Sequence, residues 1–214
     1  MFRTLIASTA ALALALPSLA FAAEKATAGK GPGKERAELF IATLMKVKKD
    51  EGKLTDAEKA ANAKLFVDLD NFLNFETLTN KPVAPKADKF KPEELTSFKS
   101  KFKELIRMIA YPKAGNFFKT AKLEWQPEKT QGELILVPLN VKLPEEDLET
   151  TVEFQFAKSG GLLKIEDVLF EGDSLVKDYQ NQIAKIVDKD GVPGLFKKVD
   201  EKYAEITKPV PPKK

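Results

Sequence analysis

Apolar residues in this chain change their spacing twice, and each change marks a boundary between kinds of element. In residues 34–49, Leu39, Phe40, Thr43, Leu44 and Val47 recur at helical spacing, so one face of a helix turns inward. Gly52 closes that segment. Thr55 and Glu58 have the spacing of a capping box, in which each side chain satisfies the other's free backbone N–H. A second helix follows through Ala61, Leu65, Phe66, Leu69 and Phe72, and residues 72–78 read as a short separate helix. Pro82, Pro85 and several lysines predict a loop over 79–91. Pro92 suits the first position of a helix, where a missing N–H costs nothing. Leu95, Phe98, Phe102, Leu105, Ile106 and Ile109 then form the cleanest helical stripe in the chain. Pro112 is expected to stop or kink that helix, and residues 115–118 to close the helical half.

After Thr120 the period becomes two. Leu123 and Trp125 alternate with charged and polar residues, and residues 128–132 read as a turn. Ile135, Val137, Leu139, Val141 and Leu143 alternate through a long strand, with Pro138 on the opposite phase suggesting an edge or a bulge. Val152, Phe154 and Phe156 mark a third strand, Ser159-Gly160-Gly161 a hairpin turn, and residues 162–170 a fourth strand. Short turns between the strands predict an antiparallel meander with one apolar face. Helical spacing returns after the cap residues Asp173 and Ser174, through Leu175, Val176, Tyr179, Ile183, Ile186 and Val187. Asp190-Gly191 ends this helix and Pro193 opens the last one. The expected fold is α+β: a four-stranded antiparallel sheet packed against a set of helices.

The first 22 of the 214 residues have the layout of a secretory signal peptide: Arg3, an apolar run over 5–16, Pro17, and Ala20-Phe21-Ala22 as a cleavage site. Residues 23–33 read as a flexible arm, 34–206 as one domain, and 207–214, rich in Pro and Lys, as a disordered tail. The expectation is an exported, soluble protein. The chain has no His and no Cys. That excludes Ser-His-Asp and Cys-His nucleophilic sites, thiolate and imidazole metal ligands, and disulfides. The balance points to binding rather than catalysis: not an enzyme, with no metal and no cofactor. Net charge is +3, too close to neutral to suggest nucleic acid. Phe is abundant, 15 residues against one Trp and three Tyr. Phe brings apolar area without a polar tip, which suits either a dense core or a wide apolar interior.

Two polar features need partners. Asp167 falls on the apolar phase of the fourth strand as counted from Leu163 and Ile165, so its carboxylate must find donors, most simply at a helix N-terminus or loop backbone. Glu171, at a strand-to-helix corner with Gly172, is the one close candidate for a second, cooperating carboxylate. Lys99, Lys103 and Arg107 recur every four residues on the third long helix. They form either a solvated face or a docking patch for an acidic partner or anionic headgroups.

The run Asp167-Val168-Leu169-Phe170-Glu171-Gly172-Asp173-Ser174-Leu175-Val176, with Tyr179 and Gly191-Val192-Pro193-Gly194-Leu195, resembles the MlaC family. Val137-Pro138-Leu139-Asn140-Val141 resembles that family's second strand. The resemblance implies a periplasmic phospholipid carrier of the Mla pathway, with a large apolar pocket between sheet and helices for the acyl chains. It also implies transient docking to an outer-membrane lipoprotein complex and an inner-membrane ABC transporter complex, in the service of outer-membrane lipid asymmetry. On this reading phospholipid is the ligand, and the pocket draws on two sets of side chains. The sheet offers Leu123, Trp125, Ile135, Val137, Leu139, Val141, Val152, Phe154, Phe156, Leu163 and Ile165. The helices offer Phe72, Phe75, Leu78, Ile109, Tyr111, Phe117, Leu175 and Tyr179. Each of these can equally serve as plain core. The alternative function is a periplasmic protein-binding or chaperone-type module without a lipid.

Overall fold

The computed structural model describes residues 31–49 and 54–207. The expected signal peptide, most of the arm and nearly all of the tail lie outside these residues. Among the described residues no helix is long and apolar enough to cross a membrane.

Helix α1 (Pro32–Leu44) opens on Pro32 and buries Ala37, Phe40, Ile41 and Leu44. Helix α2 (Asp56–Asp70) starts from the expected capping box: Glu58 N–H donates to Thr55 Oγ1 at 3.3 Å, and Thr55 N–H donates to Glu58 Oε2 at 2.8 Å. Of its residues only Asn62 and Leu69 are buried. Helix α3 (Phe75–Val83) runs into the segment expected as a loop and continues as a 3-10 helix, Ala84–Lys89. Pro82 lies in the final turn of α3, where the helix gives way to the 3-10 segment, and Pro85 suits the opening of that 3-10 helix, where a missing N–H costs nothing.

Helix α4 (Pro92–Leu105) passes through a π-helical turn, Ile106–Ala110, directly into α5 (Tyr111–Lys119). Pro112 therefore does not stop the helix. A proline ring crowds the carbonyl four residues back and removes one helical bond. The wider π turn immediately before it absorbs both effects. Gly115 has a different reason to be glycine: a Cβ there would lie 2.3 Å from the Leu44 carbonyl oxygen. Its absence lets α5 cross α1 at close range.

The sheet has six strands rather than four. Strands β1 (Lys122–Trp125), β3 (Leu134–Leu143), β4 (Leu148–Ser159) and β5 (Leu162–Phe170) form the expected antiparallel meander. Two short strands extend it. Part of the expected 128–132 turn is β2 (Lys129–Gln131), which pairs with Leu134–Leu136 around Gly132, at φ +60°. The expected cap pair Asp173–Ser174 is also β6, paired with the end of β5. Strand β3 is interior, flanked by β4 on one side and by β1 and β2 in turn on the other. Pro138 sits where that second side passes from β1 to β2, and its carbonyl there accepts from Gln126 N–H at 3.0 Å. The ring nitrogen thus falls in a gap of the ladder, where no N–H is required.

One phase assignment changes. A bulge opposite Gln155/Phe156 leaves Glu166 as an extra residue in β5. Beyond it Phe154 pairs with Val168 and Val152 with Phe170, so these two join the inner face, whereas Asp167 pairs with Gln155 on the outer one. Asp167 does reach a helix N-terminus. Its Oδ1 accepts from Val168 N–H at 2.8 Å and from Val176 N–H at 3.2 Å, and its Oδ2 accepts from the Ser174 hydroxyl. Ser174 Oγ in turn caps Lys177 N–H at 3.0 Å. This bracket fixes where α6 (Leu175–Thr207) leaves the sheet. As expected, α6 breaks at Gly191, whose φ of 69° favours glycine, and resumes at Pro193.

Candidate functional site

Two apolar clusters hold the chain together. The first joins the inner sheet face to α1 and α5: Val137, Leu139, Val141, Val152, Phe154, Phe156 and Ile165 are each at most 1 % exposed and pack with Phe40, Phe72, Tyr111 and Phe118. The Phe40 and Phe154 rings meet edge to face at 6.0 Å. The second cluster joins α4 to α6 through Phe98, Phe102, Ile183, Val187 and Leu195. Ile106, the first residue of the π turn, packs against both.

Along this seam the apolar side chains are only half-buried. Phe75 and Leu78 come from α3, Ile106 and Ile109 from the π turn, Phe117 from α5, Val168 and Phe170 from β5, and Leu175 and Tyr179 from α6. Helix α6 packs on both α3 and β5, which brings these elements together. Phe117 meets Phe170 edge to face at 6.4 Å, and Tyr179 meets Phe102 at 5.2 Å. Ile109 and Leu175 are half-buried without belonging to either cluster. Each of the five π-turn residues is half-buried.

The residues expected at the site therefore fall into two groups. Seven of the sheet residues, with Phe72 and Tyr111, are buried in the first cluster, while Leu123, Trp125, Ile135 and Leu163 are partly buried at its margin. Phe75, Leu78, Ile109, Phe117, Leu175 and Tyr179 lie along the seam. Val168, Phe170 and Ile106 join them without having been singled out. The adjacent polar pair Glu166-Asp167, interrupting a strict alternation, was the available sign that the phase shifts before Val168.

A polar cluster borders the seam where α2 ends. Arg107 grips the Asp70 carboxylate in a fork, its Nε donating to Oδ1 at 3.1 Å and its Nη2 to Oδ2. The Tyr111 hydroxyl donates to the same Oδ1 at 2.9 Å. Arg107 Nη1 also reaches Glu104, and the Lys103 ammonium lies 3.4 Å from Asp70 Oδ2. Burial alone would raise the Asp70 pKa, but hydrogen bonds from Arg107 and Tyr111 and the charges of Arg107 and Lys103 outweigh it. The carboxyl is held below its ordinary value. Tyr111 moves upward, through burial first and then the Asp70 charge. Asp70 and Asp68 stand in the last turn of α2, the negative end of the helix dipole, with no basic residue of that turn to offset them. Arg107 supplies the missing charge from across the interface. The Lys99, Lys103 and Arg107 row is thus not a uniform solvated face, since Arg107 and Lys103 turn toward Asp70.

Two open surface cavities lie elsewhere. One of about 490 Å³ is lined by Lys89, Lys91, Glu94 and the α6 break. One of about 310 Å³ lies on the polar outer sheet face around Glu124, Asn140, Lys142 and Glu171.

A family model described as MlaC protein matches residues 38–201. The chain belongs to the MlaC family. The match runs from within α1 to within α6 and takes in nearly all of both clusters and the whole seam. Among solved structures, the MlaC fold seen here is similar to the phospholipid-binding protein from Ralstonia solanacearum, determined in complex with a phospholipid. Identity is 20 %, the TM-score is 0.64, and the match covers 83 % of this chain and 97 % of that one. No curated protein matches the sequence significantly.

Proposed function

We propose that this MlaC-family protein is a soluble periplasmic phospholipid carrier, exported by its N-terminal signal, and that the half-buried seam between sheet and helices is where acyl chains enter. The observation that carries the reading is the contrast within one apolar interior: a fully buried sheet face beside a line of apolar side chains that stay half-buried at the edges of the two clusters. Membership of the MlaC family supports it, as does the similarity to the Ralstonia solanacearum protein determined in complex with a phospholipid. The energetics favour such a design. An acyl chain of about 16 carbons gains roughly 13 kcal/mol on leaving water, at about 0.8 kcal/mol per CH₂. Lipid cannot cross an aqueous compartment at a useful rate without a shield of this kind. The carrier needs an apolar site that opens and closes, and no catalytic group. By family resemblance it delivers lipid between outer-membrane lipoprotein and inner-membrane ABC transporter complexes.

Lipid extraction and native mass spectrometry of the purified protein test this directly. Near-stoichiometric diacyl phospholipid is the expected result. Protein that is lipid-free and cannot be loaded from vesicles would overturn the carrier reading in favour of a protein-binding module.

A further inference from the structure

The three cations that recur every four residues along α4 and the π turn, Lys99, Lys103 and Arg107, each have a different degree of commitment. Arg107 spends its guanidinium on Asp70 and Glu104. Lys99 makes no ion pair with any described residue. Lys103 lies between them. Its ammonium sits 4.5 Å from the centroid of the Phe75 ring, at the α3 border of the seam, and its side chain is 35 % exposed. Its one ionic contact is the 3.4 Å approach to Asp70 Oδ2, and it makes no hydrogen bond to any described residue. Asp70 keeps partners without it, because the Arg107 fork and the Tyr111 hydroxyl already occupy both carboxylate oxygens. Lys103 can therefore turn to an incoming anion without leaving a buried carboxylate unpaired. An ammonium is well suited to that task, being a point charge with three rotatable donors on a flexible stem.

We propose that Lys103 is the headgroup subsite of the carrier, its ammonium taking the phosphodiester of a glycerophospholipid whose acyl chains pass Phe75 into the seam. This rests on the carrier reading above. The subsite recognises the charge that all such lipids share, so it anchors the polar end without selecting among headgroup alcohols. The lysine stem stays on the Phe75 ring while the charged end faces water. The aromatic face supports the cation until the phosphate replaces part of its hydration.

The test compares the wild-type protein, Lys103→Met, which keeps the stem and removes the charge, and Lys103→Arg, which keeps the charge. Each is stripped of lipid and then loaded from detergent with dioleoyl phosphatidylglycerol or with dioleoylglycerol, which has the same chains and no phosphate. Bound lipid is counted by mass spectrometry after the detergent is removed, and thermal unfolding is recorded for each lipid-free protein. Losing one charge-assisted contact should lower the phosphatidylglycerol affinity about tenfold in Lys103→Met. Dioleoylglycerol uptake should not change, and Lys103→Arg should bind both lipids as the wild type does. Equal loss of both lipids, or unchanged phosphatidylglycerol binding, would overturn the subsite and leave the carrier reading standing. Failure of the wild type to take up either lipid would overturn both. A third arm adds inorganic phosphate alone. If phosphate raises the unfolding temperature of the wild type but not of Lys103→Met, Lys103 belongs to a free-anion site and the headgroup assignment falls.

Discussion

The inner sheet face and the seam are built from the same residue types, yet one is finished and the other is not. Val137, Leu139, Phe154 and Phe156 meet neighbours on every side and are at most 1 % exposed. Phe75, Ile109 and Phe117 are as apolar, but remain half-buried, as does Tyr179. The difference lies in the backbones behind them. Close partners are fixed on the sheet face by nine consecutive β3–β4 pairs and by the Gly115 crossing of α5 over α1. At the seam the side chains come from a π turn, the strand beyond a bulge, and the first turns of α6, elements that do not share one regular lattice. Interiors packed like crystals resist any added volume. A line of incomplete contacts between two such solids is where volume can be admitted. On the proposed reading the sheet is the frame and the seam the part that adapts.

The largest expected effect breaks the frame. Phe154→Asp or Val141→Asp places an unpaired carboxylate among fully buried side chains, at a cost of several kcal/mol against a total domain stability of about 5–15 kcal/mol. Thermal and urea unfolding should show a severely destabilised or unfolded protein. A variant that stays folded at wild-type stability while losing lipid would show that the sheet face, and not the seam, is the cavity wall.

Ile109→Asp is the matching change at the seam. Because Ile109 packs in neither cluster, the carboxylate can reach water in the lipid-free state, and stability should change little. In the loaded state it faces acyl chain, so bound phospholipid should fall by on the order of tenfold or more. Circular dichroism and lipid counting on the same sample separate the two effects. Undiminished lipid in a folded Ile109→Asp protein would remove the π turn from the site.

Asp70→Asn probes the polar border, at a smaller cost of about 1–3 kcal/mol for a charge-assisted bond between partly buried partners. The sign with pH follows from the lowered Asp70 pKa. A carboxyl with a folded pKa below its unfolded value stabilises fully above the unfolded value, and loses that contribution as pH falls through the folded one. The gap between wild type and Asp70→Asn should therefore be widest near neutral pH and close in acid. A gap independent of pH, read from urea titrations across this range, would show that Asp70 acts through packing alone.

Period and capping made much of this architecture legible. The switch from 3.6 to 2 after Thr120, the Thr55–Glu58 box, the Ser174 cap and the Gly191 break all lie in residues that act locally, and local chemistry survives in a string of letters. What was not legible depends on registration between distant segments. The bulge at Glu166 decides whether Val168 or Asp167 faces inward, and it is defined only against β4. Pro112 and Pro82 read as breakers because a proline's cost is local, whereas the π turn and the end of α3 that accommodate them are not. The same holds for the site. Apolar stripes identify candidates for the interior, but whether Phe154 is solid and Phe117 half-open depends on what packs against each from elsewhere in the chain.

The smallest effect sharpens the comparison at the helix nearest the polar border. Helix α2 buries only Asn62 and Leu69, contributes Leu69 to the first cluster and touches it further through Leu65 and Phe66, with the Phe66 ring 5.5 Å from that of Tyr111. It is held at its start by the Thr55 cap and at its end by the Asp70 fork. Glu58, the other half of the cap, has its pKa lowered to about 2, chiefly by the hydrogen bond from Lys48. The box therefore keeps its charge to a lower pH than an ordinary glutamate would allow. Thr55→Ala removes the Oγ1 acceptor and should cost about 1 kcal/mol. With so little of α2 buried, that loss should appear locally. Hydrogen exchange should quicken in the first turns of α2 and leave β3, β4 and the α4–α6 cluster at wild-type protection. Uniformly faster exchange would mean that α2 is part of the frame. Faster exchange confined to α2, together with faster release of bound phospholipid, would extend the adaptable region from the seam to this helix.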